Sequence, residues 1–208
     1  MGSRLVMPVN DILIPPDLAY LKKLTPAGTL SLSEGLTLAY LASKSEAAIV
    51  EIGSREGKSA CFLAAGSRMG QKHKVYCIDP WERWEHYQKY HPEAHQRFKV
   101  QVEPYKDMIK PIQGFSLEIA SKWTGSIGLL YVDGDHSKAY EDYQVWFGFV
   151  IEGGYVAFHD QEWDCVRAAI EKMQNIVDWH TVNRLQWGRK KTNTGGNNGT
   201  EVDNTTVS

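Results

Sequence analysis

The sequence predicts an α/β fold in which a mostly parallel sheet carries helices on both faces. Between Ser31 and about Lys191, short β-branched runs alternate with helix-like segments. A βαβα order with near-continuous apolar strands requires a sheet buried on both sides. Four strand ends then run straight into glycine or ionisable residues: Glu51–Gly57, Asp79–Trp81, Asp133–His136 and His159–Asp160. Ligands of open parallel sheets bind beyond the carboxyl ends of the strands, near the point where strand order reverses.

Each element has its own signal. "SLSEGLTLAYLAS" opens with Ser31 and Glu34 at capping-box spacing and continues with leucines at helical spacing. "AAIVEIG" is the first strand, and the helix "KSACFLAAGSRMG" stops at a glycine. "HKVYCIDP" is the second strand, ended by Pro80, and "KPIQGFS" is a third strand followed by a turn. A helix to Trp123 leads to the strand "IGLLYVDGD". The helix "SKAYEDYQVWFGFVI", the strand "GGYVAFHD" and the helix "QEWDCVRAAIEKM" follow. "IVDWHTVNRLQWGRKK" forms a closing β-hairpin, which brings the sheet to seven strands. Parallel crossovers are expected to be right-handed.

At 208 residues the chain suits one domain, 31–191, with an N-terminal extension (1–30) and a tail (192–208). The tail, "TNTGGNNGTEVDNTTVS", has too few apolar side chains to offset its ordering entropy and is expected to be disordered. The extension, with Pro8, Pro15 and Pro16, either folds over the ligand site or packs on a second copy, so homo-oligomerisation stays open. A net charge of -2 argues against a nucleic-acid partner gripped through its phosphates. No apolar run approaches the roughly 20 residues of a membrane span. The start lacks the charged-then-apolar pattern of an export signal. Cys61, Cys77 and Cys165 lie far apart and read as reduced thiols. A cytoplasmic protein with a small-molecule partner is the expectation.

"VEIGSREGKSA" places Gly53 in a tight turn after the first strand and Gly57 where a helix begins. Only three residues separate these glycines, so the loop is not a P-loop, and no G-x-G-x-x-G pattern is present. Glu51 and Glu56 would repel a polyphosphate; a nucleoside-like ligand with a positive centre fits better. Asp79 ends the second strand, where a carboxylate can accept bonds from both ribose hydroxyls or cap a turn.

E-x-G-x-x-x-G with an acid ending the second strand resembles the class I S-adenosylmethionine-dependent methyltransferases, whose sheet is Rossmann-like. "CIDPW", "YVDGDHSKAYEDYQVW" and "EGGYVAFHD" together resemble a bacterial, family-24-like branch of them. That branch includes cephalosporin-hydroxylase-like proteins and macrolide-sugar O-methyltransferases. The resemblance implies S-adenosylmethionine bound by Glu51, Gly53, Ser54, Gly57 and Ser59, by Asp79 with Pro80 and Trp81, and by Asp133. It places Gly114 to Ser116 by the adenine; Ser116 could instead cap a helix.

Methyl transfer to a hydroxyl needs the acceptor held close and its proton removed. A divalent cation can assist, and hard cations want oxygen ligands. Asp133 and Asp160 end strands that the fold sets side by side. In metal-dependent relatives an acid after the fourth strand and a pair after the fifth bind magnesium or a similar ion. Those positions match Asp133, His159 and Asp160, and the general base of the macrolide-sugar enzymes matches His136. His159 stands where relatives have a carboxylate, and imidazole favours manganese over magnesium. Without a metal, His159 or His136 could act as base alone. Asp135 stays open between an N-cap, the cofactor amine, a metal and the acceptor. The aromatic-rich stretch 81–110 reads as an acceptor-side insert, with Trp81 and Trp84, and beyond it Trp163, as walls. The residues also leave room for another reaction on this scaffold, hydroxylase-like, or for a binding subunit without catalysis.

Overall fold

The computed structural model describes residues 15–24 and 30–192. One sheet contains β1 (Ala48–Ile52), β2 (Val75–Asp79), β3 (Ile109–Gln113), β4 (Ile127–Val132), β5 (Val150–Phe158), β6 (Val177–Val182) and β7 (Leu185–Lys190). Their order is β3-β2-β1-β4-β5-β7-β6. β3 to β5 run parallel, and β7 lies antiparallel between β5 and β6. The α/β class and the closing hairpin expected from sequence are both present. Strand order reverses between β1 and β4, which places the ligand edge there.

Among the described residues eight α-helices cover the sheet: α1 (Pro15–Leu24), α2 (Leu32–Ser43), α3 (Lys58–Met69), α4 (Glu85–Tyr90), α5 (Ala94–Gln101), α6 (Ser116–Ala120), α7 (Ala139–Trp146) and α8 (Asp164–Glu171). On one face α1, α2, α3 and α5 bury Leu21, Leu38, Phe62 and Phe98 with Ile49 and Cys77 of the sheet. On the other, α6, α7 and α8 bury Ala120, Trp146 and Ile170 with Val50, Ile78 and Phe158. Neighbouring strand residues point to opposite faces, so β1 sends Ile49 to one layer and Val50 to the other. The Ser31–Glu34 capping box of α2 forms as its spacing predicts.

Three features depart from the sequence reading. α1 was not anticipated; it opens on prolines, which a helix tolerates in its first turn. It packs on the chain's own insert: Tyr20 donates to the Gln101 carbonyl at 2.6 Å, and Tyr105 donates to Asp17 at 2.8 Å. α7 ends at Trp146 instead of running to Ile151, because the β-branched pair Val150–Ile151 joins β5. The insert, expected over 81–110, gives its last two residues to β3. Residues 1–14, 25–29 and the tail from 193 onward, including the expected disorder, lie outside the described residues.

Register positions the site. Ile52 pairs with Ile78 and Val132, and Val132 pairs with Phe158. The next residues, Gly53, Asp133 and His159, therefore stand in one row. Backbone bonds extend that row: Gly53 N–H to Ile78 at 2.9 Å, Asp133 N–H to Ile52 at 2.9 Å, His159 N–H to Val132 at 3.1 Å. Gly53 has φ +88, and a Cβ there would lie 2.3 Å from the Asp133 carbonyl oxygen. Gly53→Ala should therefore cost about 2–4 kcal/mol, combining left-handed strain with overpacking. Denaturant unfolding reads this directly, and an unchanged midpoint would contradict the close approach of the two loops.

Candidate active site

Glu51 lies beneath the glycine loop, fully buried. It accepts hydrogen bonds from Ser54 Oγ at 2.6 Å and from Ser59 Oγ. Burial pushes its carboxyl up to about 7 against the lowering effect of those hydroxyls. Glu51, Ser54 and Ser59 therefore spend their side chains on each other. At the next strand Asp79 accepts Arg55 N–H and Trp81 N–H, each at 2.8 Å. Burial raises the Asp79 carboxyl, opposed by these two donors. Each carboxylate oxygen keeps a further lone pair for an incoming hydroxyl.

The insert clamps this loop from outside. Trp81 Nε1 donates to the Arg55 carbonyl at 2.8 Å, Gln101 Nε2 to the Glu56 carbonyl at 2.9 Å, and Arg97 pairs with Glu56. A Cβ on Gly57, at φ +83, would strike Val102 and Phe98. Trp81 is only 1% exposed, stacked on His95 at 4.3 Å and packed on Phe98. It is a core residue here and not the acceptor wall expected from sequence, because its indole closes the loop against α5. Pro80 starts the 3-10 turn Trp81–Arg83, and Trp84 follows it, half-buried.

Gly114 N–H donates to the Asp79 carbonyl at 3.0 Å, so the third strand end adjoins the second. Ser116 does not cap α6; the N-cap is Phe115. Its hydroxyl accepts from Trp146 Nε1 at 2.8 Å, tying α6 to α7 beside buried Asp142, whose carboxyl burial raises to about 6. Asp135 resolves as a cap, accepting Ser137 N–H at 3.0 Å and its hydroxyl at 2.7 Å.

Beyond β4 and β5 the ionisable residues converge. His159, with no exposed side-chain surface, has Nδ1 2.8 Å from Asp160 Oδ1 and 3.5 Å from Asp133 Oδ1, and Nε2 3.6 Å from Glu34 Oε2. These contacts are ionic, since neither ring nitrogen makes an aligned hydrogen bond. Burial opposes a charge on His159, but Asp133, Asp160 and Glu34 outweigh it and lift the imidazole to about 11. Asp160 adopts φ +54, a strained conformation that an aspartate tolerates better than most residues. Burial would raise its carboxyl; His136, His159 and Arg184 instead hold it well below the usual carboxylate range. His136 Nε2 lies 2.9 Å from Asp160 Oδ2, a contact that raises the His136 pKa despite partial burial. Its ring stacks on Trp163 at 5.0 Å, and Trp163 is 53% exposed.

Asp133, His159 and Asp160 thus come together as the sequence reading expected, each with a ligand atom within 4.8 Å of the others. The spacing suits a cation; the surrounding charge does not. Arg184 Nη2 faces Asp160 Oδ1, His136 faces Oδ2, and Tyr131 donates to Asp133 Oδ2 at 2.9 Å. Protonated His159 and Arg184 already face the inward carboxylates of Glu34, Asp133 and Asp160. The arrangement as it stands does not fit a divalent ion. Sequence reasoning missed two members of this cluster. Glu34 had shown only its capping-box spacing, yet it also accepts Arg184 N–H at 2.8 Å and is lowered to about 2, its burial outweighed by the nearby His159 ring and the bonds from Ser31 and Arg184. Arg184 carried no local signal at all.

Comparisons with known proteins agree with this fold. A family described as "Methyltransferase domain", family 24, matches residues 50–161, more than half of the chain. No curated protein matches by sequence. The O-methyltransferase from Bacillus cereus, solved with SAH, is similar at 17% identity, 88% coverage of this chain, 95% of that one and a TM-score of 0.64. The O-methyltransferase TomG from Streptomyces achromogenes, solved with SAM, gives 17%, 83%, 90% and 0.64. The SAH-bound Podospora anserina methyltransferase PaMTH1 gives 16%, 86%, 90% and 0.65. At these identities the likeness is one of fold.

Glu51 makes this site testable through stability. Its carboxyl rises from 4.5 to about 7 on folding. Between those values the folded chain keeps a proton that the unfolded chain has lost, so stability falls as pH rises through that window. Glu51→Gln should flatten this slope by an amount on the order of 2 kcal/mol. Parallel slopes for the two proteins in urea titrations at pH 5 and pH 7.5 would contradict the assignment.

Proposed function

Because the chain belongs to the methyltransferase-domain family, we propose that it transfers the methyl group of S-adenosylmethionine to a hydroxyl of a small polar metabolite or sugar. One observation carries the reading: His136 stands at the ligand edge, 2.9 Å from Asp160 and stacked on exposed Trp163. Fold neighbours that are O-methyltransferases solved with SAM or SAH support the choice of cofactor and reaction. No helix among the described residues is long and apolar enough to cross a membrane. The reading includes a cytoplasmic location.

When bound, S-adenosylmethionine would supply a sulfonium methyl for transfer to the acceptor oxygen, its sulfur retaining the bonding pair. The chain's own residues do the rest. The backbone of 53–57 lines the space beyond β1, and Asp79 offers its remaining lone pairs to the ribose. Glu51 acts from beneath by fixing Ser54 and Ser59. Trp163 gives the acceptor a flat apolar wall that an aromatic or sugar face can cover. His136 directs Nε2 towards Asp160, which leaves Nδ1 to take the acceptor's proton. A carboxylate behind an imidazole orients it and stabilises the charge it gains. Asp133, bonded to Tyr131, closes the space on the β4 side.

Calorimetric titration with S-adenosylmethionine tests the cofactor, and absence of binding would overturn the reading. A labelled-methyl screen over hydroxylated metabolites then finds the acceptor. His136→Asn should lower methyl transfer about 10²–10⁴-fold while cofactor affinity changes less than about twofold. Full activity in that variant would remove His136 from the chemistry. Below its raised pKa His136 is protonated and cannot accept, so the rate should climb as pH rises through that value. Asp160→Asn withdraws the cause of the shift and should move the rising limb to lower pH. A limb that does not move would show that Asp160 does not act on the base.

A further inference from the structure

The turn between β6 and β7 carries a charge that the proposed chemistry has not used. We propose that Arg184 is the resident cation of this site, holding Asp160 in place and taking the electrostatic role that a divalent ion would otherwise fill. The inference rests on the methyl-transfer reading for what the site accomplishes, while the arrangement of charge stands on geometry alone.

Arg184 is fixed by its surroundings. Asn183, at φ +52, turns the hairpin and donates from Nδ2 to Ser31 Oγ at 3.2 Å and to Ser33 Oγ at 2.9 Å. The hairpin tip is thereby anchored to the start of α2. Arg184 N–H then reaches Glu34 Oε1, and Gln161 N–H donates to the Arg184 carbonyl at 3.1 Å. Its guanidinium spans two acids, Nε on Glu162 and Nη2 on Asp160 Oδ1. A guanidinium cannot give up its proton at any working pH, so this charge is permanent. Asp160 Oδ2 faces His136, and both oxygens are thereby engaged. A divalent ion held by Asp133 and Asp160 would sit against the Arg184 guanidinium, and with Asp160 only 6% exposed the repulsion on that side is weakly screened. A fixed fork of donors also aims the carboxylate as a bound ion would, which keeps Asp160 behind the His136 ring.

Manganese binding followed by electron paramagnetic resonance, with metal analysis of the purified protein, tests this without any acceptor. The wild-type chain should arrive metal-free and leave Mn²⁺ in its free-ion spectrum, and its methyl transfer should be insensitive to EDTA and to added Mg²⁺ or Mn²⁺. Arg184→Gln should gain a bound-manganese signal, because the acids lose their counter-charge, whereas Arg184→Lys should stay close to wild type. Stoichiometric metal in the wild-type protein, or tight Mn²⁺ binding to it, would overturn the proposal whether or not Arg184→Gln folds. So would an Arg184→Gln protein of unchanged melting temperature that binds Mn²⁺ no better than wild type. Since the metal readouts need neither cofactor nor acceptor, they separate failure of this inference from failure of the methyl-transfer reading.

Discussion

The ionic contacts of Asp160 tie together three side chains that the sheet brings to one edge. His159 comes from the end of β5, His136 from the turn after β4, and Arg184 from the β6–β7 hairpin. Asp160 sits in a left-handed conformation that costs on the order of 1 kcal/mol, and it persists because Arg184, His159 and His136 surround its carboxylate. The permanent charges are Arg184 and, from its pKa of about 11, His159. Against Glu34, Asp133, Asp160 and the Glu162 that shares the Arg184 guanidinium, they leave the cluster with a net negative charge. A proton arriving on His136 from the acceptor would reduce it. The cluster is thus most favourable once the base has done its work, which is the electrostatic arrangement that proton removal requires.

The same row of strand ends produces the opposite result at Glu51. That carboxyl sits two residues before the row, wholly buried, among hydroxyls, a thiol and the like charge of Asp133. Without a cation nearby, desolvation governs and the carboxyl rises towards neutrality; at Asp160, cations govern and it falls. Position along the strand therefore separates two acids into different duties. One keeps the glycine loop in shape through Ser54 and Ser59, and the other orients the proposed base. Parallel register makes this possible by aligning Gly53, Asp133 and His159 within a single row.

What sequence could reveal was governed by the range of each signal. The succession of strands and helices, capping and the four polar strand ends depend on local pattern, and these were legible, as was the grouping of Asp133, His159 and Asp160. Arg184 was not, since its pairing with Glu34 spans 150 residues and depends on a hairpin tip reaching the start of α2. Glu34 was visible only as a capping residue, because a capping box satisfies the local pattern fully and gives no sign of further partners. Trp81 misled for a different reason. An aromatic next to a ligand-facing aspartate suggests a wall, but a left-handed turn at φ +39 drives the ring inward against Phe98 and His95. Composition cannot distinguish an aromatic that faces a ligand from one that packs beneath the loop that binds it.

The central claim is that His159 is a fixed cation and His136 the titrating partner, both set by Asp160. Nitrogen-15 NMR of the histidine rings, followed through a pH titration with SAH present, tests it directly. The account predicts that His159 keeps both ring protons throughout the neutral and mildly alkaline range, unchanged by added Mg²⁺, while His136 titrates within that range at a value above that of a free imidazole. A neutral His159 ring at neutral pH, or one whose resonances move when Mg²⁺ is added, would contradict it.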